Sequence, residues 1–354
     1  MTSATIKALP TPTFFKEKNA FEVDYNPDQA KLFTEADGYA KKHGIKPSGS
    51  DAKKVHLLLI DVQKDFCFPQ GSLYVGGRSG QGAMEDNAKI AKFIYENLGK
   101  ITDLTCTMDT HFPYQIFFPS FWLDKDDKPA APFTEITTEM VKSGIMKPNP
   151  AAAPIVCGGN YGWLTSYVRH YCETLEKAGK YKLYLWPFHC LLGSTGHILS
   201  GVVEEARLFH SFVRKAVAGV QVKGGNLLTE NYSVLAPEVL TTHDGRPIGQ
   251  KNVEFIRTLL ESDVVVIAGQ ASSHCVKSSI EDLLTNINAQ DPKLVKKVYI
   301  MKDCMSAVAV PDGKGGFYAD YTAAAEKALK EFKAAGMHVV ESTTPMEDWD
   351  GFPA

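Results

Sequence analysis

Three residues far apart in the chain, Asp61, Lys223 and Cys275, are of the types that together perform nucleophilic acyl transfer. A thiol attacks a carbonyl as the thiolate, and a position in the first turn of a helix lowers its pKa through the helix dipole and the unpaired N–H groups. Those N–H groups can also form an oxyanion hole. An aspartate beside an ammonium group can accept the thiol proton. Each residue alone also suits a structural role, as an inert buried thiol, a surface amine, or a helix cap or salt bridge.

A second set of residues could hold a metal ion. Asp109 and His111 are two residues apart, so they face the same side if strand geometry continues through them. His189 supplies a third ligand, although a core histidine is the alternative interpretation of that residue. Two histidines and one carboxylate leave coordination positions open for water or substrate, which is typical of a catalytic or substrate-binding centre. Zinc is the first choice of ion, and iron and manganese are compatible.

These residues must be positioned by a sheet, and the hydrophobic pattern predicts one. The short apolar run at 55–61 ends in an acid and is typical of a strand buried on both faces of a parallel sheet. Alternation of such runs with amphipathic segments favours a doubly wound arrangement with helices on both faces. Strands are predicted at 55–61, 104–109, 182–186, 218–222, 263–269, 297–301 and 338–340, and helices at 27–43, 83–98, 163–178, 198–213, 253–261, 273–287 and 320–335.

Ligands of open parallel sheets bind outside the carboxyl ends of the strands. Five consecutive predicted strands end at or just before the residues named above, which include the pair Asp109 and His111. The sequence therefore predicts that one edge of the sheet gathers an acid, a metal-ligand pair, a histidine, a lysine and a cysteine.

The predicted fold is α/β, with a mostly parallel sheet and two additions. Residues 1–53 are predicted to be an N-terminal extension, and 54–354 the main α/β domain, with a long insertion at about 112–181. The insertion is rich in proline, glycine and aromatic residues and shows one convincing helix; its run 117–122 is expected in the core or at an interface. Gly99 is predicted to cap the helix at 83–98, and Gly336 to end the helix at 320–335.

The composition excludes several functional classes. Of the 354 residues, 44% are hydrophobic and 22% charged, as in globular proteins. Lys plus Arg number 38 against 41 Asp plus Glu, so the chain lacks the basic excess that favours nucleic acid or membrane surfaces. Seven scattered cysteines predict free thiols in a reducing compartment, and a cytoplasmic location is expected.

The same residues resemble the motifs of the isochorismatase-like cysteine hydrolases, and among these the nicotinamidases. The similar segments occur in the order of that family and span about 55–340. They are LIDVQKDF at 59–66, MDTH at 108–111, WPFHC at 186–190, KG at 223–224, NYS at 231–233 and GQASSHCV at 269–276.

The resemblance implies a role for each matching position. Nicotinamide or a related small heteroaromatic amide would be hydrolysed to the acid and ammonia by a metal-assisted cysteine amidohydrolase, which is expected to be a homo-oligomer. The implied residues are a catalytic triad of Asp61, Lys223 and Cys275; oxyanion donors at Ala271 and Cys275 beside a cis Gln270–Ala271 peptide; a metal on Asp109, His111 and His189; and substrate contacts from Phe66, Trp186 and Gln63.

Two departures leave the substrate open. Many nicotinamidases have another histidine a few residues after His111, where this chain has none, and often Thr-Asp where Ser272 and Ser273 stand. A cysteine hydrolase of a linear ureido or carbamoyl compound is one alternative. A non-catalytic family member, using its insertion to bind a partner, is the other.

Overall fold

The computed structural model describes residues 8–179 and 181–353. The first seven residues of the predicted extension and residue 180 of the predicted insertion lie outside them. The strands of the described chain are β1 (Val55–Ile60), β2 (Asp103–Asp109), β3 (Trp122–Asp124), β4 (Glu135–Ile136), β5 (Met146–Pro148), β6 (Leu183–Tyr184), β7 (Ala218–Lys223), β8 (Val264–Gly269), β9 (Val298–Met301), β10 (Ala309–Pro311), β11 (Phe317–Asp320) and β12 (His338–Val340).

The α-helices lie between these strands and before the first of them. They are α1 (Gln29–His43), α2 (Lys64–Cys67), α3 (Gly82–Glu96), α4 (Thr138–Lys142), α5 (Ala153–Cys157), α6 (Tyr161–Ala178), α7 (Gly201–Arg214), α8 (Val253–Glu261), α9 (Cys275–Gln290) and α10 (Thr322–Ala334). No helix of the described residues is long and apolar enough to span a membrane.

Six strands form a central parallel sheet in the order β12-β9-β8-β1-β2-β7. Alternate residues of β1 point to opposite faces, so Leu57 and Leu59 pack in one apolar cluster and Leu58 and Ile60 in the other. Helices α1, α3 and α7 cover the first face, and α6, α8, α9 and α10 contribute to the second. The predicted fold class, a doubly wound sheet with helices on both faces, is confirmed.

The predicted strand at 182–186 is wrong as a member of this sheet. Only Leu183–Tyr184 is extended, and it pairs antiparallel with β4 of the insertion. A strand has two pairing edges, and those of β2 are occupied by β1 and β7. Leu185 and Trp186 are instead buried among the apolar residues of the insertion.

Two predicted helix boundaries and the helix content of the insertion also differ. Helix α3 ends at Glu96, and its C-cap is Asn97, whose side-chain amide donates to the Phe93 carbonyl at 3.0 Å, so Gly99 is not the cap. Helix α7 begins at Gly201 because the residues before it pair with another segment: the Ile198 carbonyl accepts a hydrogen bond from the N–H of Lys64. The insertion contains α4 and α5 besides α6. Its aromatic run at 117–122 is buried, as predicted.

Part of the extension packs on one face of the sheet and hydrogen-bonds to a buried glutamate of α7. Leu32 and Ala36 of α1 pack in the same cluster as α7. Buried Glu205 of α7 accepts hydrogen bonds from the hydroxyls of Tyr25 in the extension and Tyr95 in α3. Burial raises the pKa of Glu205, with the two tyrosine hydrogen bonds opposing the shift. The division into an extension and a hydrolase domain stays a prediction.

A buried histidine on α7 should make the stability of the fold fall in mild acid. Burial lowers the pKa of His210 from 6.5 to about 4, and its Nε2–H donates to the Ile101 carbonyl at 2.9 Å. The unfolded chain therefore binds a proton between pH 6.5 and about 4 that the folded chain excludes. Above pH 6.5, His210 should not lower the free energy of unfolding. On acidification to pH 4, the proton that the unfolded chain binds should lower the free energy of unfolding by up to about 3 kcal/mol.

Urea unfolding at pH 7.5 and pH 4.5 checks this expectation in His210→Gln. The loss of stability between the two pH values should be smaller in this variant than in the unsubstituted chain. His243→Gln is the control, because His243 is exposed and should leave the pH dependence unchanged. An equal pH dependence in all three proteins would contradict the assignment.

Candidate active site

Four neighbouring strands bring the predicted catalytic residues to one edge of the sheet. In the order β8-β1-β2-β7, the carboxyl ends lead to Cys275, Asp61, Asp109 and Lys223 respectively. Cys275 follows β8 after a short turn and is the first residue of α9. The structure therefore brings these residues, which are distant in the sequence, close together, and their roles stay predictions.

The buried ammonium group of Lys223 contacts the other three residues. Its Nζ lies 2.9 Å from Oδ2 of Asp61, 2.9 Å from Oδ1 of Asp109 and 3.8 Å from Sγ of Cys275. It also donates to the Asn231 carbonyl at 2.9 Å. One carboxylate oxygen from each of the two aspartates and the sulfur of Cys275 lie within 4.8 Å of one another. One ammonium thus contacts two acids and a thiol in a site from which solvent is excluded.

Burial and the contacts of Lys223 together determine the pKa shifts in this cluster of residues. Burial would lower the pKa of Lys223, but Asp109 and Asp61 outweigh it and hold that pKa well above its usual value. Burial raises the pKa of Asp61, with Lys223 opposing the shift, and burial likewise raises the pKa of the Cys275 thiol. A carboxyl with a raised pKa beside a protonated thiol is suited to hold and return a proton during a reaction.

The backbone at Asp61 departs from the strand that precedes it. Asp61 has a φ of 46°, in the left-handed region that residues other than glycine seldom adopt. Its N–H donates to Oγ1 of Thr107 at 2.9 Å, and the Thr107 hydroxyl donates to Oδ1 of Asp61. The neighbouring strand β2 thus fixes both the backbone and the carboxylate. A costly backbone conformation that is held by its surroundings is typical of functional positions.

The predicted metal ligands also meet. Oδ2 of Asp109 lies 3.0 Å from Nε2 of His111 and 3.7 Å from Nε2 of His189. The Nδ1 atoms of the two histidines face the backbone carbonyls of Gly224 and Pro187, at 3.2 Å and 2.8 Å. If these Nδ1 atoms donate, both Nε2 lone pairs point at the carboxylate.

This donor set fits a divalent cation. The buried Nε2 of His111 has no hydrogen-bond partner within the described residues, as expected of an atom that ligates an ion. The backbone carbonyls at Nδ1 provide the outer hydrogen bonds that usually orient metal-bound histidines. Three inward-facing electron-pair donors without a proton between them would repel one another, and a cation would offset that repulsion.

The predicted metal ligands lie so close to Gly224 that they leave no room for a Cβ at this position. Its φ is +85°, and a Cβ built there would lie 2.6 Å from Cε1 of His111 and 2.7 Å from Oδ1 of Asp109. Gly224→Ala should therefore displace both ligands and weaken metal affinity about 10- to 100-fold. Competition with a chromogenic chelator during zinc titration measures the change.

Gly225→Ala is the matched control for this prediction. A Cβ at Gly225 would meet only Phe112, at an ordinary 3.8 Å, and the backbone there is not left-handed. Its zinc affinity should remain within about twofold of the unsubstituted value, in keeping with a neutral surface change. Equal losses in both variants would contradict the assignment of the ligands.

His189 reaches the site from a loop and not from the end of a central strand. The loop is held by Asp65, whose Oδ2 accepts the N–H of Cys190 at 2.7 Å, and by a bridge between Leu191 and His111. Asp65 lies in the segment 59–66 that the sequence analysis singled out. Its position indicates that its carboxylate supports the ligand loop.

A cleft of about 420 Å³ opens beside Cys275. Phe66 and Trp186 line it, as predicted for the walls of a binding site for a flat ring. Gln63 does not line it: this buried amide donates to the carbonyls of Asp109 and His197, both at 2.8 Å, and accepts the N–H of Asp109 at 2.7 Å. Gln63 thus positions the strand end that carries a metal ligand, and its predicted substrate contact stays a prediction.

Three residues that line the cleft were not assigned from the sequence. Glu230 is buried, and burial followed by the charge of Asp109 raises its pKa well above the usual value. The hydroxyl of Tyr232 accepts a hydrogen bond from Nε1 of Trp186 at 2.8 Å. The His274 ring lies 5.4 Å from the ring of Trp186. Tyr232 and His274 fall within quoted motifs, whereas no spacing pattern indicates Glu230.

The predicted oxyanion donors lie at and just before the N-terminus of α9. Within the described residues, neither the N–H of Ala271 nor that of Cys275 donates a hydrogen bond, so both are available to a ligand. The Gln270–Ala271 peptide is cis, as the resemblance implies. The Gln270 side chain donates to Oδ2 of Asp86 at 2.9 Å, and Ser306 donates to the same oxygen at 2.7 Å. This buried acid fixes the turn that leads to Cys275.

Comparison with solved structures finds similar chains among the nicotinamidases. A nicotinamidase/pyrazinamidase of Acinetobacter baumanii is 16% identical, with 83% of this chain and 99% of that chain covered and a TM-score of 0.48. The yeast nicotinamidase is 20% identical over 81% of this chain and 99% of that one, also with a TM-score of 0.48. An isochorismatase-like hydrolase of Alkaliphilus metalliredigens is 12% identical over 82% and 95%, with a TM-score of 0.39.

The similarity is to isochorismatase-like hydrolases. At these identities it carries no residue roles over to this chain. A scan against protein-family models and a search of curated proteins each give no match.

Proposed function

We propose that this chain is a metal-assisted cysteine amidohydrolase that converts nicotinamide or a related small heteroaromatic amide to its acid and ammonia. The observation that carries the proposal is the contact of Lys223 Nζ with Asp61, Asp109 and the sulfur of Cys275 in one buried group. A purely structural lysine needs one acid for charge balance. A second acid and a thiol within reach, at the end of an aromatic cleft, favour chemistry at the sulfur.

In the first half-reaction Asp61 accepts the thiol proton and Cys275 Sγ forms a bond to the amide carbon. The carbonyl oxygen becomes an oxyanion, which would accept hydrogen bonds from the unpaired N–H groups of Ala271 and Cys275. The proton on Asp61 passes to the amide nitrogen, the C–N bond breaks, and ammonia leaves. The thioester that remains has the acyl group on Cys275.

The second half-reaction restores the enzyme. Asp61 removes a proton from a water molecule, whose oxygen attacks the thioester carbon. The C–S bond breaks, the carboxylic acid is released, and the proton returns to Cys275. Lys223 remains charged throughout and stabilises the negative charge as it moves between Asp61 and the sulfur. Both steps use the same acid, in agreement with its raised pKa.

Asp109, His111 and His189 would hold a divalent cation, with zinc as the first candidate. When bound, the ion supplies a Lewis-acid contact that orients a pyridine nitrogen or a water molecule in the cleft. Dialysis against a chelator should lower the ammonia release rate, and zinc should restore it. Unchanged activity in protein shown by elemental analysis to be free of metal would contradict the requirement.

An ammonia-release assay across a panel of amides tests the function. Pyridine and pyrazine carboxamides should be turned over, whereas ureido and carbamoyl compounds should not, because the walls of the cleft are aromatic. Hydroxylamine added during turnover should yield the hydroxamate, since it intercepts the thioester. Preference for the linear compounds would move the substrate to that class, and failure to turn over any amide would reject the proposal.

A further inference from the structure

A second cavity adjoins the cleft and is not used by the proposed reaction. This outer groove, of about 1120 Å³, is open to solvent. Glycine-rich backbone from 76–80 and 313–316 forms part of its walls. Its apolar side chains are those of Leu73, Phe133, Ala309, Val310, Pro311 and Phe317.

The outer groove is continuous with the cleft at Cys275. Leu73 lines both cavities, and Val308 of the cleft is followed in the chain by Ala309 of the groove. The ring of Phe133 in the groove lies 6.4 Å from the ring of Trp186 in the cleft wall. A molecule bound in the cleft could therefore extend into the groove without leaving the protein surface.

The groove is suited to an uncharged ligand. Arg78 is the basic residue of its lining, and its Nε already donates to Oδ2 of Asp320 at 2.8 Å. Among the described residues, no acidic side chain lines the groove. Apolar surface that remains exposed beside a reactive cleft is typical of a binding site, since burial by a ligand lowers its free energy.

Three segments outside the central sheet build this groove, namely 72–80, the insertion at Phe133 and the β10–β11 hairpin. Phe133 belongs to the insertion, and its N–H donates to the Leu185 carbonyl at 2.6 Å, which fixes the ring beside Trp186. Its φ of 65° lies in the left-handed region, a conformation that costs about 1 kcal/mol or more for such a residue. Phe317 comes from the β10–β11 hairpin, which also lines the groove. The structure thus holds two exposed rings beside the entrance to the cleft.

We propose that the outer groove binds the distal, apolar part of the substrate while the carboxamide reaches Cys275. This inference rests on the proposed function and narrows its substrate class. The preferred substrate is a primary carboxamide on a flat ring that carries an uncharged aryl or alkyl extension. Nicotinamide itself would occupy the cleft and leave the groove empty.

Two neighbouring residues of β11 provide a test with a matched control. Phe317 lines the groove and is 38% exposed, whereas Tyr318 is 79% exposed and not part of the lining. The pairing of β10 and β11 is irregular here, and Tyr318 has no cross-strand partner. Phe317→Asn and Tyr318→Asn therefore make similar changes of composition at neighbouring positions, one inside and one outside the lining of the groove.

The measurement is kcat/KM for nicotinamide and for phenyl-substituted pyridine carboxamides. The unsubstituted protein should prefer an extended compound about tenfold or more, and Phe317→Asn should reduce that preference about fivefold, as expected for the loss of one aromatic contact. Tyr318→Asn should leave it unchanged. Absence of any preference for the extended compounds, or an equal loss in both variants, would overturn the inference.

Binding separates this inference from the proposed function. Calorimetric titration of the extended carboxamides into Cys275→Ser measures occupancy without turnover. Binding that weakens in Phe317→Asn, without turnover of any amide by the unsubstituted protein, would reject the catalytic proposal and retain the groove as a ligand site. Turnover of nicotinamide, together with failure to bind every extended compound, would support the catalytic proposal and reject the groove as a ligand site.

Discussion

Replacement of Cys275 by serine should lower kcat/KM for amide hydrolysis by about 10⁴-fold or more, a loss comparable to removal of other catalytic nucleophiles. A hydroxyl at this position is far less acidic than a thiol, and burial already raises the pKa of the native thiol. The Lys223 ammonium and the start of α9 favour a negative charge on sulfur, but a serine hydroxyl would need far stronger activation than a thiol to become a nucleophile. Ammonia release at a series of substrate concentrations, with enough protein to detect slow turnover, measures the effect.

Cys157→Ser is the control for this substitution. Cys157 is a free thiol that is partly exposed at the end of α5 and is not part of the cleft lining. Its activity should be that of the unsubstituted protein, and hydroxamate trapping should remain. Hydroxamate formation in Cys275→Ser at the rate of the unsubstituted protein would contradict the assignment of Cys275 as the nucleophile.

Replacement of Lys223 by methionine should abolish activity and destabilise the fold. Methionine keeps much of the side-chain volume but leaves Asp61 and Asp109, each 2.9 Å from the lost ammonium, without their shared cation. Removal of one partner from a buried ion pair costs about 3–5 kcal/mol, because the remaining charge stays buried. Urea unfolding at neutral pH gives the change in the free energy of unfolding.

The control for Lys223→Met is Lys215→Met. The Lys215 side chain is 51% exposed, and its partner Asp37 is 66% exposed. Solvent screens such a pair, so neither activity nor the unfolding midpoint should change measurably. Unaltered stability of Lys223→Met would show that the two aspartates are not charged together in the folded state.

Patterns within the chain predicted the central strands with good accuracy. The runs at 55–61 and 263–269 are continuous apolar segments, and burial on both faces of a parallel sheet permits few other sequences. The segment 182–186 has a similar local pattern but lies in the insertion. Which edge a strand pairs with depends on segments distant in sequence, and β2 already had β1 and β7 beside it.

The predicted catalytic and metal-binding residues were also found together, because each follows a feature that can be read locally. Asp61, Asp109 and Lys223 end or follow strands, and Cys275 begins a helix. Their roles in catalysis, the cytoplasmic location and a homo-oligomeric state stay predictions. Glu230 could not be assigned, because its significance lies in burial beside the cleft and has no periodic signal.

The sequence by itself determined which chemical groups stand at the ends of which strands. The hydrophobic periodicity, the order of segments along the chain and the first residue of a helix are all local properties of the sequence. Only the tertiary structure decided that Lys223 contacts two acids, that Gly224 must lack a Cβ, and that His189 arrives on a loop held by Asp65. These features depend on distances of a few ångströms between segments more than a hundred residues apart in the sequence. Such distances are fixed by packing, which no local pattern records.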